Sequence, residues 1–156
     1  MPNFQYIDLP PVPESLYTDV YKSLRNPSYN TTEVRRYYIS EATQSIYDFI
    51  STIFEPWMYD TVNIQLIRKD MPWHIDGRRT EVYNYLLSTG NPNVKTNYKN
   101  ESIVIEPYRW HRLDTSVLHN VTGMQPGNAR LAICVFNAIN KSYTQNYSNI
   151  RKNPNE

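Results

Sequence analysis

The spacing of apolar residues changes once along the chain, near Pro56, and that change separates two kinds of structure. Pro2, Pro10, Pro11 and Pro13 interrupt residues 1–13, so this stretch reads as an extended lead-in lying across the domain surface. From Glu14 onward Leu16, Val20, Tyr21 and Leu24 recur at helical spacing up to the breaker pair Asn26-Pro27, which predicts a short amphipathic helix. A second, more apolar helix is predicted with Ser40 as its N-cap and Ala42, Ile46, Phe49, Ile50 and Ile53 on one stripe, ending at Glu55-Pro56. Two helices are therefore expected to precede everything else.

Beyond Pro56 the period falls to two: Val62, Ile64 and Leu66 alternate with Asn63 and Gln65, the pattern of a strand with two different faces. Further strands are predicted near 73–77, 82–88, 94–98, 102–106, 109–113, 117–122 and 129–138, separated by turn signals such as Thr89-Gly90-Asn91-Pro92 and Gln125-Pro126-Gly127-Asn128. Eight short strands in about 80 residues imply a mainly β fold with N-terminal helices, a double-sheet jelly roll. The chain reads as a single domain over 1–156, with residues 1–56 as extended segment and helices, 57–139 as the jelly-roll core and 140–156 as a polar tail.

Composition adds limits. A hydrophobic share of 40% with 13% aromatics supports one core, and 16 Lys+Arg against 15 Asp+Glu leave a charge of +1, which disfavours indiscriminate binding of nucleic acid. No apolar run reaches the ~18–20 residues of a membrane span, and Met1-Pro2-Asn3-Phe4-Gln5 lacks the layout of a signal peptide. The expectation is a soluble, cytoplasmic protein without membrane contact, and a monomer or small homo-oligomer. One cysteine, Cys134, can form neither an internal disulfide nor a thiolate zinc site, so any metal must use histidine and carboxylate. Asn-x-Ser/Thr triplets at Asn30, Asn100, Asn120, Asn140 and Asn146 reflect an Asn-rich chain rather than glycosylation.

Three histidines, His74, His111 and His119, carry the candidate chemistry. In a strand His74 and Asp76 project from one face. With an imidazole from a distant strand they form a two-His-one-carboxylate facial triad, the ligand set of non-haem iron(II) oxygenases, which leaves metal positions open for a bidentate cosubstrate and dioxygen. His119 stands at a separation that lets a sheet return beside its earlier strand, and His111 lies in the same region. Arg130, eleven residues beyond His119, opens the apolar run to Phe136. A guanidinium entering an apolar interior needs an anion, and its planar fork suits a carboxylate.

The segments Met71-Pro72-Trp73-His74-Ile75-Asp76-Gly77 and Leu113-Asp114-Thr115-Ser116-Val117-Leu118-His119-Asn120-Val121, followed by Arg130, resemble the 2-oxoglutarate/Fe(II)-dependent dioxygenases, whose pattern is His-x-Asp, a distal His and then an Arg or Lys on the closing strand. The resemblance covers about residues 60–138 and is to small stand-alone members related to prolyl hydroxylases, of phage and marine bacterial type. It implies a double-stranded β-helix, a cupin-like barrel, with His74, Asp76 and His119 holding Fe(II), Arg130 pairing with the 5-carboxylate of 2-oxoglutarate, and ascorbate as a possible reductant. It favours His119 over His111 as third ligand. Many members carry Ser or Thr two residues after the Arg, where this chain has Ala132; Tyr85 is the candidate for the missing hydroxyl, with Asn63 and Gln65 as further pocket-lining groups.

By the same resemblance the activity is hydroxylation of a C–H bond with release of succinate and carbon dioxide, first of all on a peptidyl, prolyl-type side chain of a peptide or protein. The alternatives are a nucleobase or small-molecule oxygenase, or a non-catalytic jelly-roll binding or virion-associated module. Arg78-Arg79 reads as an exposed basic turn that could meet an anionic substrate, and Trp73 and Trp110 as packing residues. His111 reads as packed on a strand or near the substrate opening, and Cys134 as a buried inert thiol.

Overall fold

The computed structural model describes residues 2–25, 29–31 and 37–139; the expected polar tail and the Asn26-Pro27 breaker lie outside them. In chain order the elements are β1 (Phe4–Tyr6), α1 (Tyr17–Arg25), β2 (Tyr29–Thr31), β3 (Tyr37–Glu41), α2 (Gln44–Ile53), β4 (Thr61–Ile67), β5 (Met71–His74), β6 (Glu81–Thr89), β7 (Lys95–Tyr98), β8 (Glu101–Ile103), β9 (Trp110–Asp114), β10 (His119–Thr122) and β11 (Arg130–Phe136). They form a seven-stranded sheet in the order β1-β9-β6-β11-β4-β3-β2 and a four-stranded sheet in the order β5-β10-β7-β8. The eight strands after Pro56 thus divide as β4, β11, β6 and β9 against β5, β10, β7 and β8. This is the jelly-roll arrangement of a double-stranded β-helix.

Strand β11 shows why the sequence folds this way. Its seven residues are all buried. Leu131, Ile133 and Val135 face one way and pack with Val62, Ile64 and the helix residues Val20, Ile46 and Ile50. Ala132, Cys134 and Phe136 face the other way, into the space between the sheets, with Val82, Leu86, Tyr98 and Leu113. A strand apolar on both faces belongs at the centre of a sheet covered on both sides, and β11 does pair with both β4 and β6. The helices cover the outer face, and the small sheet covers the inner one.

Several expectations need correction. The lead-in is not merely extended: Phe4–Tyr6 pairs with β9, setting Tyr6 opposite His111. Ser40 does not cap a helix; it lies in β3 opposite Ile64, and α2 begins after Thr43. The run Tyr37-Tyr38-Ile39 satisfies its backbone by pairing with β4, and that pairing outweighs the local capping signal. Strand β5 stops at His74, so Asp76 stands beyond the strand and not two places along it.

One glycine ties two turns together. Gly123 has φ +88°, and a Cβ there would lie 2.3 Å from the Asn93 carbonyl oxygen, while its own carbonyl accepts from Asn91 Nδ2 at 2.8 Å. Gly123→Ala is expected to lower stability by about 1–3 kcal/mol in urea unfolding, since it combines the left-handed penalty with a clash against backbone.

Candidate metal centre and anion pocket

Strands β5 and β10 run antiparallel and put His74 directly opposite His119, with ring centroids 4.3 Å apart. Each ring is held the same way. His74 Nδ1 donates to the Pro72 carbonyl at 2.6 Å, and His119 Nδ1 donates to the Val117 carbonyl at 2.7 Å. A carbonyl can only accept, so Nδ1 of each ring carries a proton and Nε2 is the nitrogen turned inward, a bare lone pair in the neutral ring. Burial, partly offset by the Asp76 carboxylate, pushes His119 below its ordinary value and favours that neutral form.

Both lone pairs meet the same carboxylate oxygen: Asp76 Oδ1 is 3.2 Å from His74 Nε2 and 3.7 Å from His119 Nε2. The three ligand atoms lie within 4.8 Å of one another. Three acceptors aimed at one point repel unless a cation lies among them, and one proton can serve only one of the two imidazole contacts. A metal ion serves all three. Metal–ligand bonds of about 2.1 Å set neighbouring ligand atoms about 3 Å apart, a spacing that small side-chain shifts would give these three.

The other carboxylate oxygen is already taken. Asp76 Oδ2 accepts from Arg79 Nε at 3.0 Å, and the guanidinium is buried over the Phe136 ring at 4.9 Å and against the Cys134 thiol. Burial works to raise the Asp76 carboxyl, yet the Arg79 guanidinium first, and the two imidazoles when they carry a second proton, outweigh it and hold the group well below the carboxylate range. The loop is pinned by Thr115, only 1% exposed. Its carbonyl accepts from the Asp76 amide at 3.0 Å, and its hydroxyl donates to the Arg79 carbonyl at 3.2 Å. Arg79 is therefore no exposed basic turn. It turns inward and fixes which oxygen of Asp76 faces the imidazoles.

Arg130 lies at the start of β11, 5% exposed. Its Nη1 donates to Thr96 Oγ1 at 3.1 Å, and among the described residues no carboxylate reaches it to form an ion pair. Burial pushes the guanidinium down to about 10. With Leu86, Thr89, Val94, Thr96 and Ile105 it lines a narrow, tightly closed cleft. Four residues further along the strand, about 13 Å at strand rise, Cys134 touches Arg79 beside the triad.

Tyr85 does not supply the hydroxyl that Ala132 lacks. It pairs with Ile133 and Trp110 and sits in the layer facing the helices, because neighbours along a strand point to opposite faces. Thr96 of β7 is the hydroxyl beside Arg130, and sequence offered no signal for it, since only the closed barrel brings β7 over β11. Asn63 and Gln65 do face the interior, opposite Cys134 and Ala132 respectively; Gln65 Oε1 accepts from the Cys134 thiol at 3.8 Å. His111 is fully buried, away from any opening, and Trp73, expected to pack, is 51% exposed. For Arg79 a signal was present: an Asp-x-x-Arg turn leaving the triad.

No family model matches the sequence, and no curated protein matches it. Among solved structures it is similar to a cupin-2 domain containing protein from Shewanella frigidimarina NCIMB 400, with a TM-score of 0.37 and 11% identity over 58% of this chain and 91% of that one. The jelly-roll assignment rests on the strand order above. No helix among the described residues is long and apolar enough to cross a membrane.

Proposed function

We propose that the protein is a 2-oxoglutarate- and Fe(II)-dependent dioxygenase. The observation that carries this reading is the convergence of two tautomerically fixed imidazole lone pairs and one carboxylate oxygen on a single point. The second support is Arg130, a buried cation lacking a carboxylate among the described residues, at the distance along β11 that a five-carbon diacid and an arginine side chain together span. Iron(II) bound by His74, Asp76 and His119 would supply the activation of dioxygen that couples decarboxylation of 2-oxoglutarate, to succinate and carbon dioxide, with hydroxylation of a substrate C–H bond.

The protein's own groups do the holding. Arg130 and Thr96 would take the distal carboxylate, and Arg79 occupies Asp76 Oδ2, leaving Oδ1 towards the imidazoles. Trp73, Ile75, Val117 and Leu118, each exposed and each within two residues of a triad imidazole, form an apolar rim that suits an uncharged segment of a peptide or protein. A peptidyl, prolyl-type side chain is accordingly the first substrate to test.

The deciding assay is succinate formation from 2-oxoglutarate with Fe(II) and ascorbate. Metal-dependent turnover supports the proposal, and a protein that retains no metal and forms no succinate refutes it. Arg130→Met is expected to raise KM for 2-oxoglutarate by about tenfold or more, with metal affinity unchanged in a separate titration. Arg79→Met is expected to weaken metal binding by roughly 10–100-fold, the usual cost of losing a group that orients a ligand, with KM for 2-oxoglutarate little affected.

A further inference from the structure

The four residues 115–118 that join β9 to β10 support two of the three triad residues at once. The Val117 carbonyl holds the His119 ring through Nδ1, and the hydrogen bonds of Thr115 all go to the loop that carries Asp76. Its carbonyl accepts from the Asp76 amide at 3.0 Å and its amide donates to the Thr80 carbonyl at 2.9 Å, so both ends of the 76–80 loop close on one residue. Its hydroxyl donates to the Arg79 carbonyl at 3.2 Å. Arg79 is thereby tied at two places, since its guanidinium binds Asp76 Oδ2.

The support is itself fixed. Asp114, which precedes Thr115, donates its amide to the Asn3 carbonyl at 2.8 Å. Its own carbonyl accepts from the Tyr98 hydroxyl at 2.7 Å, and its Oδ1 accepts from the Ser116 amide at 2.9 Å. Metal sites need their ligands held to within about 0.5 Å, and a ligand on a loop is placed no better than the neck of that loop allows. The two backbone bonds of Thr115 would form with other side chains at this position. The hydroxyl is particular to threonine and serine, and valine, of the same shape, would leave the Arg79 carbonyl without this donor.

We infer that Thr115 is a positioning residue of the metal centre: it closes the neck of the 76–80 loop and, through its hydroxyl on Arg79, sets the direction from which Asp76 Oδ1 meets the two imidazoles. The inference rests on the metal site of the proposed dioxygenase. Thr115 acts on metal affinity and ligand geometry through Asp76 and Arg79.

The test uses the full chain with Zn(II) or Co(II), read by titration calorimetry and by the visible absorption bands of bound Co(II). Thr115→Val is expected to weaken metal binding about tenfold, the lower end of the cost of losing an orienting group, and to shift the Co(II) bands at saturation. Thr115→Ser, which keeps the hydroxyl, should restore both affinity and bands. A residue that merely stabilised the fold would leave the saturated spectrum unmoved. Wild-type affinity in Thr115→Val, unshifted bands at saturation, or a Thr115→Ser as weak as Thr115→Val overturns the inference. Wild-type protein that binds neither metal overturns the metal-centre reading instead. Hydrogen exchange in the wild type needs no variant: the Asp76 and Thr115 amides are expected to exchange about tenfold more slowly with Zn(II) bound, because the ion and the neck hold the same loop. Equal rates with and without Zn(II) overturn the inference, so a Thr115→Val that fails to fold leaves the question decidable.

Discussion

His74→Ala is expected to abolish metal-dependent succinate formation while leaving the fold standing, whereas Asp76→Asn is expected to damage both. The His74 ring donates to the Pro72 carbonyl two residues away and makes its other close polar contact with Asp76 Oδ1. Removing it costs little packing. Metal affinity should nevertheless fall by more than the ~100-fold upper cost of losing a supporting group, because two ligands cannot enclose the ion. Asp76 differs, since its second oxygen neutralises the buried Arg79 guanidinium. Asparagine keeps the shape and removes the charge, stranding that cation at a cost of about 3–5 kcal/mol. Metal titration and urea midpoints of the two variants separate the roles. If His74→Ala retained wild-type metal affinity, the triad would not be the metal site.

The parts of the molecule that could be read from sequence are those encoded by local periodicity. The eight strands after Pro56 follow from alternation and turn residues, and their observed bounds fall close to the expected ones except at β5 and β8, which end at His74 and Ile103, each three residues early. The strands among residues 1–41 were hidden because none is amphipathic on its own; Phe4–Tyr6 and Tyr37–Glu41 become strands by adding to edges that already exist. The triad was legible because His-x-Asp and a distal His are residue types with few structural uses together. Its geometry was not, for Asp76 reaches His74 from a loop that Thr115 holds, and not from a shared strand face. Arg130 was visible as a cation in an apolar run. Its partner Thr96 lies on a strand whose inward face only the closed barrel defines. Tyr85 failed for a single physical reason: parity along β6 sends it to the helix side.

Acidification from pH 7 to pH 4 is expected to cost the metal-free protein about 3 kcal/mol through His111 alone. Burial, aided by the Arg130 guanidinium, pushes this imidazole down to about 3 from an unfolded value of 6.5. Between those two values the unfolded chain binds a proton that the folded chain refuses, so stability is full above pH 6.5 and falls as pH drops towards 3. Asp76 adds loss in the same direction, but only below the ordinary carboxylate range, because its folded carboxyl is depressed. His119, also depressed by burial, contributes in the upper part of the window. Urea midpoints at pH 7, 6, 5 and 4 in the presence of chelator measure the sum, and His111→Phe isolates the share of His111. At pH 7 that variant should be as stable as wild type, since phenylalanine fills the site without an orphaned nitrogen. At pH 4 it should be more stable by roughly the 3 kcal/mol that protonation costs the wild type. Parallel curves for the two proteins would mean that the imidazole titrates freely, which is incompatible with a fully buried ring set between β1 and β6 beside Phe4.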